Sequence, residues 1–498
     1  METLIKKYRE LSNKINAINY AFYLISWDSE TEAPIGCFEE RSKQMGVLSS
    51  MMLDIKMSDE YFNAVEELYK SNLDGDLKIE IEKVYKDLSK ERKLPQDLLV
   101  EFNILMAKSA NIWANAKQNN DYSLFKPILA QILDFLQKYV KLLGTEKLNG
   151  YNLLLDEYEE GFTMKKYDEF FLLLRKEIVP LLKQIKEQKE PYDYEFSKKI
   201  YSITKQKEFA NYLLKVMNFD LNRGLMKESE HPFTSGYGTS DVRITTHYYP
   251  DLLVSSIFSV IHEGGHATYE LQCDPKYDNT ALSGGTSMAF HESQSRFYEN
   301  IIGRKYSFWE THYPKLQEIF SEELKDVTLD EFYHYVNLVT PSLIRTEADE
   351  LTYPLHIMVR YEIEKLMITN QISLDELPKK WNELYKEYLG VDVPTDKEGI
   401  LQDVHWSGGS LGYFPTYALG SAYAAQIYHQ MKKEINVDEI IKSGNLSAIN
   451  DWLKEKVHKY AGSKKPEELL LMITNEKFNP KYYVEYLKNK YSKIYNIK

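Results

Sequence analysis

Apolar side chains recur at intervals of three and four residues along most of this chain, which is the spacing of amphipathic helices. The stretches Phe125–Leu143 and Tyr167–Leu182 show it most regularly. Lysine and glutamate fill many of the remaining positions, and the charged run Lys183–Glu190 is typical of solvated helix faces and loop ends. Polar turns such as Asn119–Asp121 separate the periodic stretches. Up to about Tyr201 the pattern therefore predicts long helices joined by short turns.

The pattern changes between His231 and Pro250, where glycine, threonine, tyrosine and proline dominate. Such a composition predicts a loop with short strands, with a small hairpin as one arrangement. Helical periodicity resumes at Leu252 and continues to the end. We therefore expect a mainly α-helical protein with at most a very small β-sheet.

The domain organisation is predicted from what the chain lacks. No repeat, low-complexity tract or Pro/Gly/Ser-rich linker divides the 498 residues, so we expect a single unit over residues 1–498. Within that unit, residues 1–200 are expected to form a helical lid subdomain that covers a cleft or lines one side of it. Residues 201–498 are expected to form the catalytic subdomain.

Composition and charge narrow the class of protein. The chain is 43% hydrophobic and 28% charged, and its net charge of −13 is spread along its length. This balance argues against a nucleic-acid or anionic-membrane surface, and no run of about 18 apolar residues predicts a membrane span. The N-terminal segment lacks the apolar core of a signal peptide, and two cysteines, Cys37 and Cys273, suit a reducing compartment. We expect a cytoplasmic protein with no nucleic-acid and no membrane partner.

The strongest chemical signal is the HExxH sequence that contains His262, Glu263 and His266. Apolar residues such as Val254 and Ile261 precede it at helical spacing and place it on a mostly buried helix. Positions i and i+4 share one helix face, so both imidazoles can reach one ion. Glu263 is rotated from them by about a hundred degrees, near enough to hold the attacking water. In a chain of this length with 11 histidines, an HExxH sequence is expected by chance about 0.02 times. The motif predicts a zinc-type peptidase with Glu263 as general base.

A catalytic zinc ion needs a third protein ligand and an open fourth position. The helix predicted over Met288–Ile302 offers His291, Glu292 and Glu299. Ligation by two histidines and one carboxylate favours Glu292, since no histidine follows at the metzincin spacing. Glu299 and Asn300 are expected either directly behind the ligands or at the surface, and both alternatives stay open.

Three small residues near the motif carry further expectations. Gly264 and Gly265 weaken a helix by roughly 1 kcal/mol each. They suit a place where substrate or another backbone comes close, and tight packing against a second helix explains them equally well. Cys273 follows His266 by seven residues, and we expect it to be a passive apolar residue rather than a ligand.

Several motifs along the chain resemble those of the carboxypeptidase Taq family of metallocarboxypeptidases. Besides the HExxH, they are Trp27-Asp28 with Thr31 and Pro34, His231-Pro232-Phe233, Asp241-Val242-Arg243-Ile244-Thr245, His291-Glu292-Ser293-Gln294, Ile344-Arg345 with Ala348-Asp349, and Gly399 with Gln402-Asp403-Val404-His405-Trp406. One departure is Glu160, where the family usually has proline. It concerns a turn in the predicted lid and leaves the predicted active site untouched.

The resemblance implies a large, helical, saddle-shaped fold with a deep central groove, usually as a homodimer. It also implies that the protein removes single C-terminal amino acids from peptides, with broad side-chain tolerance. The implied cofactor is one Zn²⁺ per chain, with Co²⁺ as a possible replacement. The expected partners are therefore peptides with a free C-terminus and a second copy of the chain.

Recognition of a free carboxylate points to arginine, whose planar guanidinium binds it with two hydrogen bonds. Arg243 and Arg345 lie in the matching motifs and are the candidates for substrate binding. The alternative is an internal salt bridge, between Arg345 and Glu347 or Asp349, and between Arg243 and Asp241.

The tetrahedral intermediate of peptide hydrolysis also needs a hydrogen-bond donor to its oxyanion. His405 is the first candidate because it lies in a polar segment flanked by glycines, followed by Tyr417 and Tyr413. With 39 tyrosines in the chain, either tyrosine can equally be packing material. His231 is a candidate for substrate contact, and a role in stabilising the local turn explains it as well.

Two other functions remain possible at this stage. A helical HExxH oligopeptidase or dipeptidyl carboxypeptidase would use the same metal site and differ in its products. A non-catalytic binding scaffold descended from a peptidase would usually have lost the base or a ligand, whereas His262, Glu263, His266 and Glu292 are all present.

Overall fold

The computed structural model describes residues 1–497, and helices dominate it. The helices of the first part are α1 Glu2–Thr31, α2 Phe38–Lys56, α3 Asp59–Lys70, α4 Gly75–Glu91, α5 Gln96–Asn119, α6 Tyr122–Leu143, α7 Tyr151–Asp156, α8 Met164–Lys186 and α9 Ile203–Val216. The predicted periodic stretches correspond to α6 and α8. Asp121 ends the predicted polar turn and caps α6 by accepting a hydrogen bond from the Ser123 N–H.

Three short strands follow, β1 Gly224–Glu228, β2 Thr234–Gly236 and β3 Val242–Thr246. They form one sheet in the order β1-β3-β2, with β1 parallel and β2 antiparallel to β3. The antiparallel pair is the hairpin that the composition of the segment from His231 to Pro250 predicts. The parallel strand β1 lies before that segment and was not predicted. This single small sheet packs on the helix that carries the HExxH motif.

Helices resume after the sheet and continue to the C-terminus. They are α10 Leu253–Gln272, α11 Met288–Arg296, α12 Tyr306–Ile319, α13 Leu329–Val336, α14 Tyr353–Ile368, α15 Leu377–Leu389, α16 Pro415–Glu434, α17 Val437–Lys442, α18 Ser447–Lys456, α19 Pro466–Thr474 and α20 Lys481–Ile494. A π-helical turn, Phe297–Ile302, continues α11 directly. The predicted mainly helical fold is confirmed.

Three hydrophobic clusters of unequal size lie in the described chain, and the smallest gathers Tyr269, Cys273, Tyr277, Leu282 and Ala461. The large core runs from Ala116 to Tyr495 and includes the inner faces of α6, α8, α10, α14 and α16. A separate small core joins α1, α3 and α4 through residues such as Tyr8, Val65 and Leu68. The predicted division into a lid of residues 1–200 and a catalytic part stays a prediction. Helices α6 and α8 of the first part pack in the same core as the helices of the second part. In the described part of the chain no helix is long and apolar enough to cross a membrane.

Candidate metal centre and active site

The HExxH motif lies in the second half of α10, with its histidines on one face of the helix. Glu292 comes to the same place from α11. His262 Nε2 and His266 Nε2 lie 3.8 and 3.5 Å from the same oxygen, Glu292 Oε2. One ligand atom from each of the three residues lies within 4.8 Å of the others. Two imidazole nitrogens and one carboxylate oxygen at this spacing suit a divalent cation of the zinc type, so the donor set fits the expected metal.

Gly265 lets the two ligand-bearing helices touch. A Cβ atom at this position would lie 2.8 Å from Gln294 O and from Ser295 Cα, which are backbone atoms of α11. A Cβ atom at Gly264 would instead meet only the end of the Met217 side chain, at 2.7 Å. Close packing against the α11 backbone therefore accounts for Gly265, whereas Gly264 has only a flexible side-chain end as its neighbour.

A third helix closes on the centre at Gly420. A Cβ atom there would lie 2.7 Å from Cβ and from Cγ of Glu292. Since only hydrogen fits, α16 lies directly against the third predicted ligand. This contact brings Tyr417, on the first turn of α16, and Tyr413, just before it, to the same side of the molecule as the metal ligands.

A carboxylate behind His262 holds the imidazole in place. The π-helical turn after α11 brings Glu299 next to this histidine, with 2.8 Å between Glu299 Oε2 and His262 Nδ1. Glu299 is buried and also accepts hydrogen bonds from Arg296 at 3.1 Å and from Arg304 at 3.3 Å. Glu299 is therefore not a surface residue and lies behind His262, a predicted ligand. Asn300 lies on the other side of the turn, where its side chain accepts from Arg304 Nε at 3.1 Å.

Arg296 holds the third predicted ligand in its ionised form. Its Nε donates to Glu292 Oε1 at 2.6 Å, which leaves Oε2 toward the two histidines. Burial opposes ionisation of this carboxyl, but the guanidinium of Arg296 and the neighbouring imidazoles hold its pKa well below the usual range. An ionised carboxylate is the form that binds a metal.

Behind His266, two further side chains form a series of hydrogen bonds that leads away from the candidate metal centre. His266 Nδ1 and His291 Nδ1 are 2.6 Å apart, and His291 Nε2 lies 2.6 Å from Glu270 Oε1. Burial lowers the pKa of His266, so the imidazole stays neutral, as ligation requires. His291, a candidate ligand by sequence, thus stands behind His266 rather than among the ligand cluster.

Glu263 is buried beside the predicted ligands and is held by the edge strand β2. Thr234 Oγ1 donates to Glu263 Oε2 at 2.6 Å. The second carboxylate oxygen, Oε1, has no hydrogen-bond partner among residues 1–497. One oxygen is therefore anchored and the other is available to a substrate or a water molecule.

A polar cavity of about 450 Å³ opens beside this centre. Thr234 and the rest of β2 form one wall, Glu270 and His291 form another, and Asn16 and Asn19 of α1 line the opposite side. The first helix of the chain therefore lines part of this cavity.

Arg345 is buried and takes part in a salt bridge other than the ones predicted for it. Its Nε donates to Asp403 Oδ1 at 3.0 Å, and neither Glu347 nor Asp349 is its partner within the described chain. The expected alternative partners were wrong because the loop before α14 turns the guanidinium toward the segment that contains Asp403. Nη1 of Arg345 reaches the Tyr353 hydroxyl at 3.3 Å.

Arg243 adopts the internal salt bridge that the sequence offered as its alternative. Nε and Nη2 donate to the two carboxylate oxygens of Asp241, each at 2.7 Å. The guanidinium also lies 5.3 Å from the ring centroid of Tyr23 and 5.5 Å from that of Trp27. These contacts join β3 to α1.

His405, Tyr417 and Tyr413 form one aromatic cluster. His405 Nε2 lies 3.4 Å from the Tyr417 hydroxyl, and the Tyr413 and Tyr417 rings meet edge to face with centroids 5.1 Å apart. Burial lowers the pKa of His405 to about 4, so it is neutral at pH 7 and keeps one N–H to donate. Burial raises the pKa of Tyr417 far above its usual value, so its hydroxyl keeps its proton.

The remaining predicted residues lie farther out. His231 is exposed, and its carbonyl oxygen accepts from Ser229 Oγ at 2.6 Å. Cys273 is buried, its thiol donates to the Tyr269 carbonyl at 3.4 Å, and it is outside the ligand cluster. Glu160, the departure from the family pattern, pairs with Lys465 at 2.8 Å and with Lys86 at 3.5 Å.

Sequence reasoning missed several groups that organise the centre. Arg296 lies four residues after Glu292 and three before Glu299, which is the helical spacing of ion pairs and is a signal that was available. Glu270 follows His266 by four residues and shares its helix face. Thr234 reaches Glu263 only through the fold, and nothing in the local sequence points to this contact.

Comparison with known proteins agrees with this geometry. The model of the carboxypeptidase Taq (M32) metallopeptidase family matches residues 7–491. Carboxypeptidase 1 of Bacillus subtilis is 41% identical over 498 residues, and the match covers 99% of both chains. Thermostable carboxypeptidase 1 of Pyrococcus furiosus is 36% identical over 495 residues, with 99% of this chain and 98% of that protein covered. The crystal structure of an M32 carboxypeptidase from Deinococcus radiodurans R1 superposes with a TM-score of 0.94 at 29% identity and covers 100% of this chain and 99% of its own. The chain belongs to the carboxypeptidase Taq (M32) family and is a metallocarboxypeptidase, a hydrolase of peptide bonds that requires a divalent metal.

Proposed function

We propose that this enzyme releases single amino acids from the C-terminus of peptides, accepts a broad range of side chains, and uses one Zn²⁺ per chain. The observation that carries the proposal is the cluster of His262, His266 and Glu292, two imidazoles and one ionised carboxylate with ligand atoms within 4.8 Å of one another. The same donor set accommodates Co²⁺.

The chain's own groups divide the work of hydrolysis. A bound divalent cation supplies Lewis-acid polarisation of the scissile carbonyl and lowers the pKa of water. Glu263 accepts the proton of the attacking water at the carboxylate oxygen that Thr234 leaves free and passes it to the leaving amine. His405 and Tyr417 are proposed to donate hydrogen bonds to the developing oxyanion, with Tyr413 as the next candidate.

Arg345 is proposed to bind the terminal carboxylate of the substrate, since the ion pair with Asp403 engages Nε and leaves a terminal nitrogen, Nη2, free in the described chain. Arg243 is the second candidate, although Asp241 occupies both its Nε and its Nη2. His231, an exposed residue shortly before β2, stays a candidate for substrate contact.

The experiment that tests the reaction is product analysis. Short peptides are incubated with the zinc enzyme, with and without a chelator, and the products are identified by mass spectrometry. We expect stepwise loss of single C-terminal residues that stops when the metal is removed. Release of dipeptides or internal fragments would instead identify a dipeptidyl carboxypeptidase or an oligopeptidase.

The role of Arg345 is tested with peptides that have an amidated C-terminus. A hydrogen bond to a charged group contributes about 1.5–3 kcal/mol, so amidation should lower kcat/KM of the wild type by roughly 10–100-fold. The Arg345→Ala variant should lose most of this penalty, because the partner of the carboxylate is already gone. Arg243→Ala is the matched comparison and should keep the penalty. If free and amidated peptides react equally in the wild type, neither arginine binds the substrate carboxylate.

We also propose that the enzyme acts in the cytoplasm as a homodimer. Both cysteines are free thiols, which a reducing compartment maintains. The dimer proposal is supported by α2, none of whose 19 residues is buried. Apolar side chains on and just before this helix are strongly exposed, with Ile35 at 97%, Phe38 at 78% and Met51 at 52%. Such a face is typical of an interface between copies of a chain.

A further inference from the structure

A second cavity lies on the far side of the π-helical turn from the metal ligands. Its volume is about 490 Å³, within the range of pockets that bind small molecules. It is lined by residues of α12, α13, α16, α17 and α20, with Asn300 and Ile301 of the turn and Arg304 just after it forming the side nearest the metal centre. We call it the basic cavity.

The basic cavity is positively charged in a protein whose net charge is −13. Its basic side chains are Arg304, Lys305, Lys432, Lys442, Lys490 and Lys493. Its acidic side chains are Glu310, Asp438 and Glu485. This excess of cations in a concave site attracts anions from solution.

Internal ion pairs leave part of this charge unneutralised. Lys442 pairs with Glu310 at 2.9 Å, and Lys490 pairs with Glu350 at 2.5 Å. Lys432 has no carboxylate partner within 4 Å in the described chain.

Two of the ammonium groups, those of Lys305 and Lys432, contact the same tyrosine, Tyr428. Lys305 pairs with Asp438 at 2.7 Å and donates to the Tyr428 hydroxyl at 2.6 Å. Lys432 Nζ lies 4.5 Å from the centroid of the same ring. Burial and the charge of Lys305 lower the pKa of Lys432, so an anion between them would relieve repulsion.

Aromatic side chains line the basic cavity together with its charged residues. Tyr306, Tyr333 and Tyr482 line the basic cavity, and the His429 ring lies against Tyr482 at a tilt of 35° with centroids 4.3 Å apart. An aromatic wall binds the face of a planar heterocycle, and lysine binds phosphate as a point charge. From this combination we propose that the basic cavity binds a small phosphate-bearing molecule with a planar base, that is, a nucleoside phosphate.

Hydrogen bonds of one arginine connect the basic cavity to the candidate metal centre. Arg304 Nε donates to Asn300 Oδ1 at 3.1 Å, and Nη2 donates to Glu299 Oε1 at 3.3 Å. Glu299 in turn lies 2.8 Å from His262 Nδ1. A phosphate that contacts Arg304 competes with Glu299 for this guanidinium and changes the support of a metal ligand. The π-helical turn carries both Glu299 and Asn300, and such turns are often found at functional sites. Binding here should therefore alter metal retention, and metal should reciprocally alter binding.

The test measures binding of adenosine monophosphate, inorganic phosphate and adenosine to the zinc enzyme by calorimetry. We expect adenosine monophosphate to bind more tightly than phosphate, and adenosine to bind weakly or not at all. Lys432→Gln should weaken binding of the nucleotide by about tenfold or more, and Asp438→Asn should tighten it by releasing Lys305. Lys459→Gln is the matched control, because this partly exposed lysine outside the basic cavity also lies over a tyrosine ring, that of Tyr460 at 5.5 Å.

Each outcome bears on the proposal. Equal nucleotide affinity in the wild type and Lys432→Gln would place the anion at the metal centre or elsewhere and overturn it, as would an absence of binding. Binding of phosphate without any gain from the base would overturn the nucleotide assignment. The coupling is measured as the rate of zinc release to a coloured chelator with saturating adenosine monophosphate. A change of about fivefold or more that disappears in Lys432→Gln supports it, and an unchanged rate overturns it.

Discussion

At the scale of single residues, polar groups behind the predicted ligands organise the metal centre. Glu299 holds the outer nitrogen of His262, and Arg296 engages one oxygen of Glu292. Partners of this kind select the tautomer of a histidine and orient its ring, so they contribute to metal affinity without touching the metal. Removing the carboxylate of a ligand should therefore affect zinc binding more strongly than removing the carboxylate of a supporting residue.

This difference is tested by comparing Glu292→Ala with Glu299→Ala. Loss of the Glu292 carboxylate should abolish stoichiometric zinc binding and activity together. Loss of the Glu299 carboxylate should leave all three ligands in place and weaken metal affinity by about 10–100-fold. Competition with a chelator of known affinity measures both. Full zinc occupancy in Glu292→Ala would transfer the role of third ligand to Glu299.

Glu263 permits a sharper substitution, because glutamine has nearly the same shape. Glu263→Gln can still accept the Thr234 hydrogen bond but cannot take a proton from water. We expect normal zinc content and a loss of about 10²–10⁴-fold in kcat/KM. Glu169→Gln, an exposed change on α8, should match the wild type in both measurements. Turnover near the wild-type rate in Glu263→Gln would exclude it as the general base.

At the scale of elements, the geometry of the centre depends on how closely three helices approach. Gly265 brings α10 against the backbone of α11, and Gly420 brings α16 against Glu292. The π-helical turn then continues α11 and carries Glu299 behind His262. A small displacement of any one helix would therefore separate the ligand atoms.

The two glycines of the motif provide an internal comparison. In Gly265→Ala the new methyl group meets α11 backbone, and overpacking of about 1–3 kcal/mol should exceed the roughly 1 kcal/mol gained in helix propensity. In Gly264→Ala it meets only the flexible end of Met217, so stability should change little or rise. Urea denaturation of the two variants measures the difference. A Gly265→Ala variant as stable as the wild type, with full zinc content, would contradict close packing as the reason for this glycine.

At the scale of the whole molecule, α2 stands out from the rest of the helices. It has no buried residue, while α1, α3 and α4 beside it share a small core of their own. Burying an exposed apolar face in a dimer of ordinary size removes about 800 Å² per partner from water. The proposed homodimer would therefore give the otherwise thin N-terminal part a second packing surface.

The dimer is tested with Phe38→Asp combined with Met51→Asp. Two charges in an apolar interface should convert a dimer into a monomer, as measured by light scattering on a sizing column. Leu172→Asp is the control, since this residue is 59% exposed on α8 and lies away from the α2 face in sequence and fold. A wild-type chain that is already monomeric, or a double variant that remains dimeric, would contradict this interface.

The sequence by itself determined what depends on short-range geometry. The three- and four-residue period places α6, α8 and α10, and the i, i+4 spacing puts His262 and His266 on one face, because one helical repeat governs both. The candidate third ligand followed from the chemistry of zinc and from one further helix. The family followed from motifs in order along the chain, which need no structure to recognise.

Only the tertiary structure decided which groups from distant elements meet. Arg345 pairs with Asp403 rather than with its sequence neighbours, and Thr234 holds Glu263 from an edge strand. The reason for Gly265 became visible only with α11 packed against it. The basic cavity likewise gathers charges from α12, α16, α17 and α20, which together extend over residues 306–494 of the chain. Such contacts depend on helix packing and on burial, which no local spacing encodes, so they had to be read from the folded chain.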